Sequence, residues 1–111
     1  MPGSRNAAWG GTGGDGTGTV VGQGNYPSVV SAATITIPPG ASGVLVTGTT
    51  GITAITAGYA GQIVTLVFSG ALTVTDGGNL RLAGNFVTTP DDSLTLVCDG
   101  ANWTEIARAV N

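Results

Sequence analysis

The sequence predicts an all-β fold: a small β-sandwich or barrel of about eight or nine short strands behind an extended glycine-rich N-terminal arm. Three observations carry the prediction. Short runs of β-branched and aliphatic residues recur along most of the 111-residue chain; glycine, proline, asparagine and aspartate punctuate them; and no stretch shows the three-to-four spacing of an amphipathic helix.

The arm comes first. Gly10 to Gly24 reads GGTGGDGTGTVVGQG, which offers few side chains to a core and loses the most entropy on ordering. We assign 1–26 to this arm and 27–111 to the β body, with the boundary at Pro27. An arm of this composition is either a flexible tail or an extended segment ordered by a partner, and in the second case Trp9, Val20, Val21 and Tyr26 are the side chains it would plant there.

Nine runs follow in the body: Thr34 to Ile37, Val44 to Thr47, Ile52 to Ile55, Ile63 to Phe68, Leu72 to Thr75, Leu80 to Leu82, Phe86 to Thr89, Leu94 to Cys98 and Trp103 to Ala107. Pro38-Pro39-Gly40, Asp76-Gly77-Gly78-Asn79, Pro90-Asp91-Asp92 and Asp99-Gly100 lie between them and supply turns. Most runs alternate, as Leu94, Leu96 and Cys98 do against Thr95, so one sheet face is apolar and the other threonine. Ile63 to Phe68 is apolar on both faces, which predicts a strand covered from two sides. In a body this small and without a disulfide, a second chain is the expected cover, with Ile63, Leu66 and Phe68 as the candidate contacts; the alternative is that the strand lies at the centre of a monomeric sandwich. Periodicity leaves pairing open, so a sandwich, a barrel and rungs of a β-helix all fit.

Composition excludes most familiar chemistry. There is no histidine and one cysteine, which removes Ser-His-Asp and Cys-His machinery, imidazole metal sites, zinc cages and internal disulfides. Three cationic residues against six acidic ones cannot neutralise a row of phosphates, so no nucleic-acid partner is expected. No apolar run approaches the ~20 residues of a spanning helix, so no membrane partner is expected either. The first residues lack a secretory signal's apolar stretch, and cytoplasmic synthesis is the expectation.

Gly11 to Gly16 satisfies G-x-G-x-x-G but has no strand before it and no helix after it, and Gly10 to Asp15 holds a single partial copy of a calcium-binding repeat. Asp91-Asp92 after Pro90 reads as a turn rather than a cation site. Asp76, Asp99 and Glu105 are the acids a glycosidase pair would draw on, but their spacing does not require one. No catalytic, cofactor or metal residue is therefore assigned. Cys98, on the Leu94 and Leu96 face, reads as core. Asn102-Trp103-Thr104 matches a glycosylation sequon by coincidence. Tyr59 and Trp103 offer aromatic faces to sugar rings and are the candidate glycan-facing residues, against the alternative that Trp103 anchors a core or a subunit.

The stretches GTTGITAI at Gly48 to Ile55, GQIVTLVFSGALTVTDGGNLRLAG at Gly61 to Gly84 and DSLTLVCDGANWTEI at Asp92 to Ile106 resemble the small β-rich modules of bacteriophage virion proteins, namely capsid decoration proteins, tail fibres and tail spikes. The resemblance covers Ala41 to Arg108 and implies a structural, homotrimeric virion protein made in the host cytoplasm. The expectation drawn from it is a decoration or cement protein on the outer capsid surface, partnered by itself and by the major capsid protein. The alternative is a trimeric tail-fibre or tail-spike module facing host-surface glycan.

Overall fold

The computed structural model describes residues 26–111, and the elements in it are all strands. They are β1 (Ser28–Val30), β2 (Thr34–Ile35), β3 (Gly43–Thr47), β4 (Ala54–Ile55), β5 (Ile63–Phe68), β6 (Thr73–Val74), β7 (Leu80–Arg81), β8 (Phe86–Val87), β9 (Ser93–Cys98) and β10 (Trp103–Ala109). All nine runs read from the sequence contain a strand or, at Ile52, an isolated bridge leading into one. The additional strand is β1, three residues directly behind Pro27.

The strands form two layers. One is a six-stranded sheet in the order β1-β3-β5-β9-β10-β7; the other is built from the pairs β2-β4 and β6-β8, linked by a parallel bridge between Ile52 and Val74. From β1 to β6 the chain alternates between layers, so β1, β3 and β5 pair in parallel, as do β2 and β4. The first half is thus wound like the rungs of a β-helix. Antiparallel pairing of β5 with β9 and of β9 with β10 then completes the large sheet. Its two edges, β1 and β7, remain apart, which makes the architecture a sandwich and not a barrel.

Alternation along the strands explains the core. Val44 and Val46 from β3, Val64, Leu66 and Phe68 from β5, Leu94, Leu96 and Cys98 from β9, and Trp103 from β10 face inward, and Ile35, Ile52, Ile55, Val74 and Phe86 meet them from the other layer. Phe68 and Phe86 stand edge to face across the layers, with ring centroids 6.0 Å apart. Cys98 is buried as expected, and its sulfur accepts the Gly100 N–H at 3.3 Å.

One expectation is corrected here. β5 lies between β3 and β9, but its burial alternates instead of being complete on both faces. Leu66 and Phe68 point into the chain's own core and are fully buried, so neither is available to a partner. The side chain that reaches the surface is Ile63, 52% exposed on the outer face. A period of two sends every second apolar residue to the other side.

The arm falls outside the described residues except at its last position, and with it Trp9, Val20, Val21 and the Gly11 to Gly16 motif. Tyr26, 57% exposed, lies against the outer side of Gly43, where a β-carbon would approach its ring to 3.4 Å.

Candidate functional site

One end of the sandwich gathers the β4–β5 loop (residues 56–62), the β6–β7 turn (76–79), Arg81 of β7 and the β9–β10 turn (99–102). Its most prominent side chain is Tyr59, 69% exposed. The loop beneath that ring is held on both sides. Gln62 accepts the Tyr59 N–H through Oε1 at 3.3 Å and donates its own N–H to the Tyr59 carbonyl at 3.1 Å. Glycine at 58 is required by this arrangement, because a β-carbon there would stand 1.6 Å from Gln62 Oε1. Gly61 N–H donates to the Cys98 carbonyl at 2.7 Å and Cys98 N–H to the Gln62 carbonyl at 2.8 Å, fastening the loop to β9.

Trp103 stands under this loop and is not a glycan-facing residue. It is fully buried, and its indole N–H donates to the Thr56 carbonyl at 3.2 Å. The reason is register: Trp103 pairs with Cys98 on β9 and with Leu80 on β7, both inward-facing, so its ring must enter the core. Of the two expected aromatic faces, Tyr59 alone is presented to solvent.

The neighbouring turn carries charge. Asp99 Oδ1 accepts the N–H groups of Ala101 at 2.9 Å and Asn102 at 2.7 Å, and Gly100 adopts the φ of 101° that closes the turn. These bonds, Asn102 first, hold the Asp99 carboxyl below its ordinary range, and Arg81 adds to the effect. Arg81 Nη1 lies 3.7 Å from Asp99 Oδ2, with both side chains more than half exposed. Asn79 bonds its side chain to Ile55 and its carbonyl to the Trp103 N–H, tying the third loop to the same spot. The end therefore offers an apolar ring face on a fixed backbone, together with a cation and an anion that still reach water. An exposed ring face with charged groups near it is chemically suited to stacking on a pyranose and to hydrogen-bonding its hydroxyls.

The other acids among the described residues serve the fold, Asp76 by accepting the Leu82 N–H at 2.9 Å. Glu105 and Arg108 pair at 2.7 Å, and Glu105 also accepts the Ala83 N–H at 3.0 Å. Arg108 donates to the carbonyls of Gly84 and Asn85 and lies 4.6 Å over the Phe86 ring. Arg108 holds Glu105 below the usual carboxylate range, and Glu105 in turn raises Arg108. This clamp was not legible in the sequence, because residues three apart on a regular strand face opposite ways. A bulge between Glu105 and Ala107 brings both to the inner side. Asp92 is buried in the β8–β9 turn; it accepts the N–H groups of Asn111 and Thr89 and the Thr89 hydroxyl, which lower its carboxyl in that order. Asp91 occupies the positive-φ position of that turn, at 72°. Among the described residues no group of three or more metal-ligating side chains comes together.

Comparison with family models places this architecture. The model of the phage depolymerase C-terminal beta sandwich domain matches residues 25–104, most of the chain. The chain belongs to this family. The match opens at the end of the glycine-rich arm and covers the sandwich up to the second residue of β10, leaving out the last five residues of that strand. No curated protein matches the chain. As a depolymerase-type sandwich domain it is a virion-associated structural module of a bacteriophage, and the family is of the tail-spike and tail-fibre kind. That favours the tail module over the capsid cement expected first.

Proposed function

We propose that the chain is a tail-spike or tail-fibre module, working as a homotrimer, whose Tyr59 end binds glycan on the host surface. The observation that carries the proposal is the match to a depolymerase domain over residues 25–104, since a depolymerase acts on a polymer that its protein must hold. The Tyr59 end supports it with an exposed ring on a doubly fastened loop, beside the Arg81–Asp99 pair. The reading is recognition and not cleavage, since the acids a glycosidase pair would draw on are engaged in local bonds: Asp76 accepts the Leu82 N–H, Asp99 accepts the Ala101 and Asn102 N–H groups, and Glu105 is clamped by Arg108.

Binding to host-surface polysaccharide, compared between the wild type and Tyr59→Ala, tests this reading. Loss of a stacked ring should weaken binding by about tenfold, with thermal stability unchanged because the ring is exposed. Equal binding by the two proteins, or none by either, contradicts it.

A further inference from the structure

Arg81 is the one well-exposed cation among the described residues, since Arg108 is closed against Glu105 and the Phe86 ring. Leu80 turns into the core, so Arg81, the next residue of β7 and the partner of Thr104, stands on the outer side of the sheet and reaches the β9–β10 turn. The acid it meets there is only half used. Asp99 Oδ1 accepts the Ala101 and Asn102 N–H groups, while Oδ2 faces Arg81 Nη1 at 3.7 Å, too far for a hydrogen bond. The Asn102 side-chain amide approaches the same carboxyl. With the two side chains 60% and 53% exposed, a charged donor and a charged acceptor stand side by side and both reach water. The turn abuts the Tyr59 loop: a β-carbon on Gly100 would lie 3.9 Å from Ala60, so the residues that follow Asp99 and Tyr59 are neighbours.

We propose that the Arg81–Asp99 pair binds two neighbouring hydroxyls of a neutral sugar. The proposal rests on the Tyr59 reading and names the class of glycan that this end accepts. Adjacent hydroxyl oxygens on a pyranose stand about 2.8 Å apart, the spacing of a hydrogen-bonded oxygen pair. One of them donates to Asp99 Oδ2 while the other accepts from Arg81 Nη1, so a single diol makes two charge-assisted bonds. Charge decides between neutral and acidic sugars. A carboxylated or phosphorylated sugar would bring its anion against Asp99, on a chain with six acidic residues and three cationic ones, and pairing that anion with Arg81 would take from Asp99 its counterion. A neutral diol uses the donor and the acceptor together and leaves the two charges facing each other.

Titration calorimetry of the full chain with host-surface polysaccharide tests the proposal, in the wild type, Asp99→Asn, Arg81→Leu and Tyr59→Ala. Asparagine keeps a side-chain oxygen for the Ala101 and Asn102 N–H groups, so the turn is retained while the charged acceptor is lost. Arg81→Leu removes the donor at an exposed position and keeps the test valid should Asp99→Asn impair folding, which circular dichroism checks in both. Each variant should bind about tenfold more weakly than the wild type. Wild-type affinity should change less than about twofold between about 50 and about 500 mM sodium chloride, because the glycan brings no charge to be screened. A folded Asp99→Asn or Arg81→Leu protein that binds as the wild type does, or a wild-type affinity that falls about tenfold over that range of salt, overturns the proposal. The two readings fail differently: weaker binding by Tyr59→Ala beside unchanged binding by Asp99→Asn keeps the Tyr59 reading and removes this one, whereas no binding by the wild type removes both.

Discussion

Trp103 does two jobs with one side chain. Its ring fills the core among the inward residues of both layers, and its N–H holds the backbone of the loop that presents Tyr59. Truncating a buried aromatic of this size leaves a cavity that a small sandwich has few ways to close. Trp103→Ala should cost about 3–5 kcal/mol, measured by chemical denaturation, a large part of the ~5–15 kcal/mol available to a domain. A cost below about 1 kcal/mol would mean that the ring is not a core residue. From the sequence alone, Asn102-Trp103-Thr104 gave no means of choosing between a core tryptophan and a sugar platform, because the facing of a strand's first residue depends on its partners.

At the scale of elements, the ends of strands are secured by acids. Asp92 connects the β8–β9 turn to Asn111 beyond β10, Asp99 closes the β9–β10 turn, and Glu105 with Arg108 holds the β7–β8 loop against β10. All three carboxyls lie below their unfolded values near ~3.9–4.3. Groups shifted in this direction stabilise the fold fully above those values, and the stabilisation is lost as pH falls through the lower, folded ones. Thermal melts should therefore show a plateau from neutral pH down to about 5 and a decline below about 4. Asp92→Asn should melt lower at neutral pH and decline less on acidification. An unchanged acid slope in that variant would remove Asp92 from the account. The strands themselves were readable from β-branched runs between turn residues, whereas β1 was not, since Ser28-Val29-Val30 is short and adjoins the glycine tract. The bulge in β10 left no mark in the alternation either, which is why the Glu105–Arg108 clamp went unforeseen.

For the whole molecule, a chain with 8% charged residues spends its apolar side chains twice, on a closed core and on the outer face of the large sheet, where Leu45 pairs with Val67 and Ile63 with Val97. The sequence carried the all-β class and the two-sided character of Ile63 to Phe68, but not the pairing order that makes one side core and the other surface. Nor did it separate a shell protein from a tail module, because both demand a weakly charged, threonine-covered β body. The family match favours the tail module. The most direct measurement is immunogold electron microscopy of native particles with an antibody to this chain. The account predicts gold at the tail, and gold distributed over the capsid shell would contradict it.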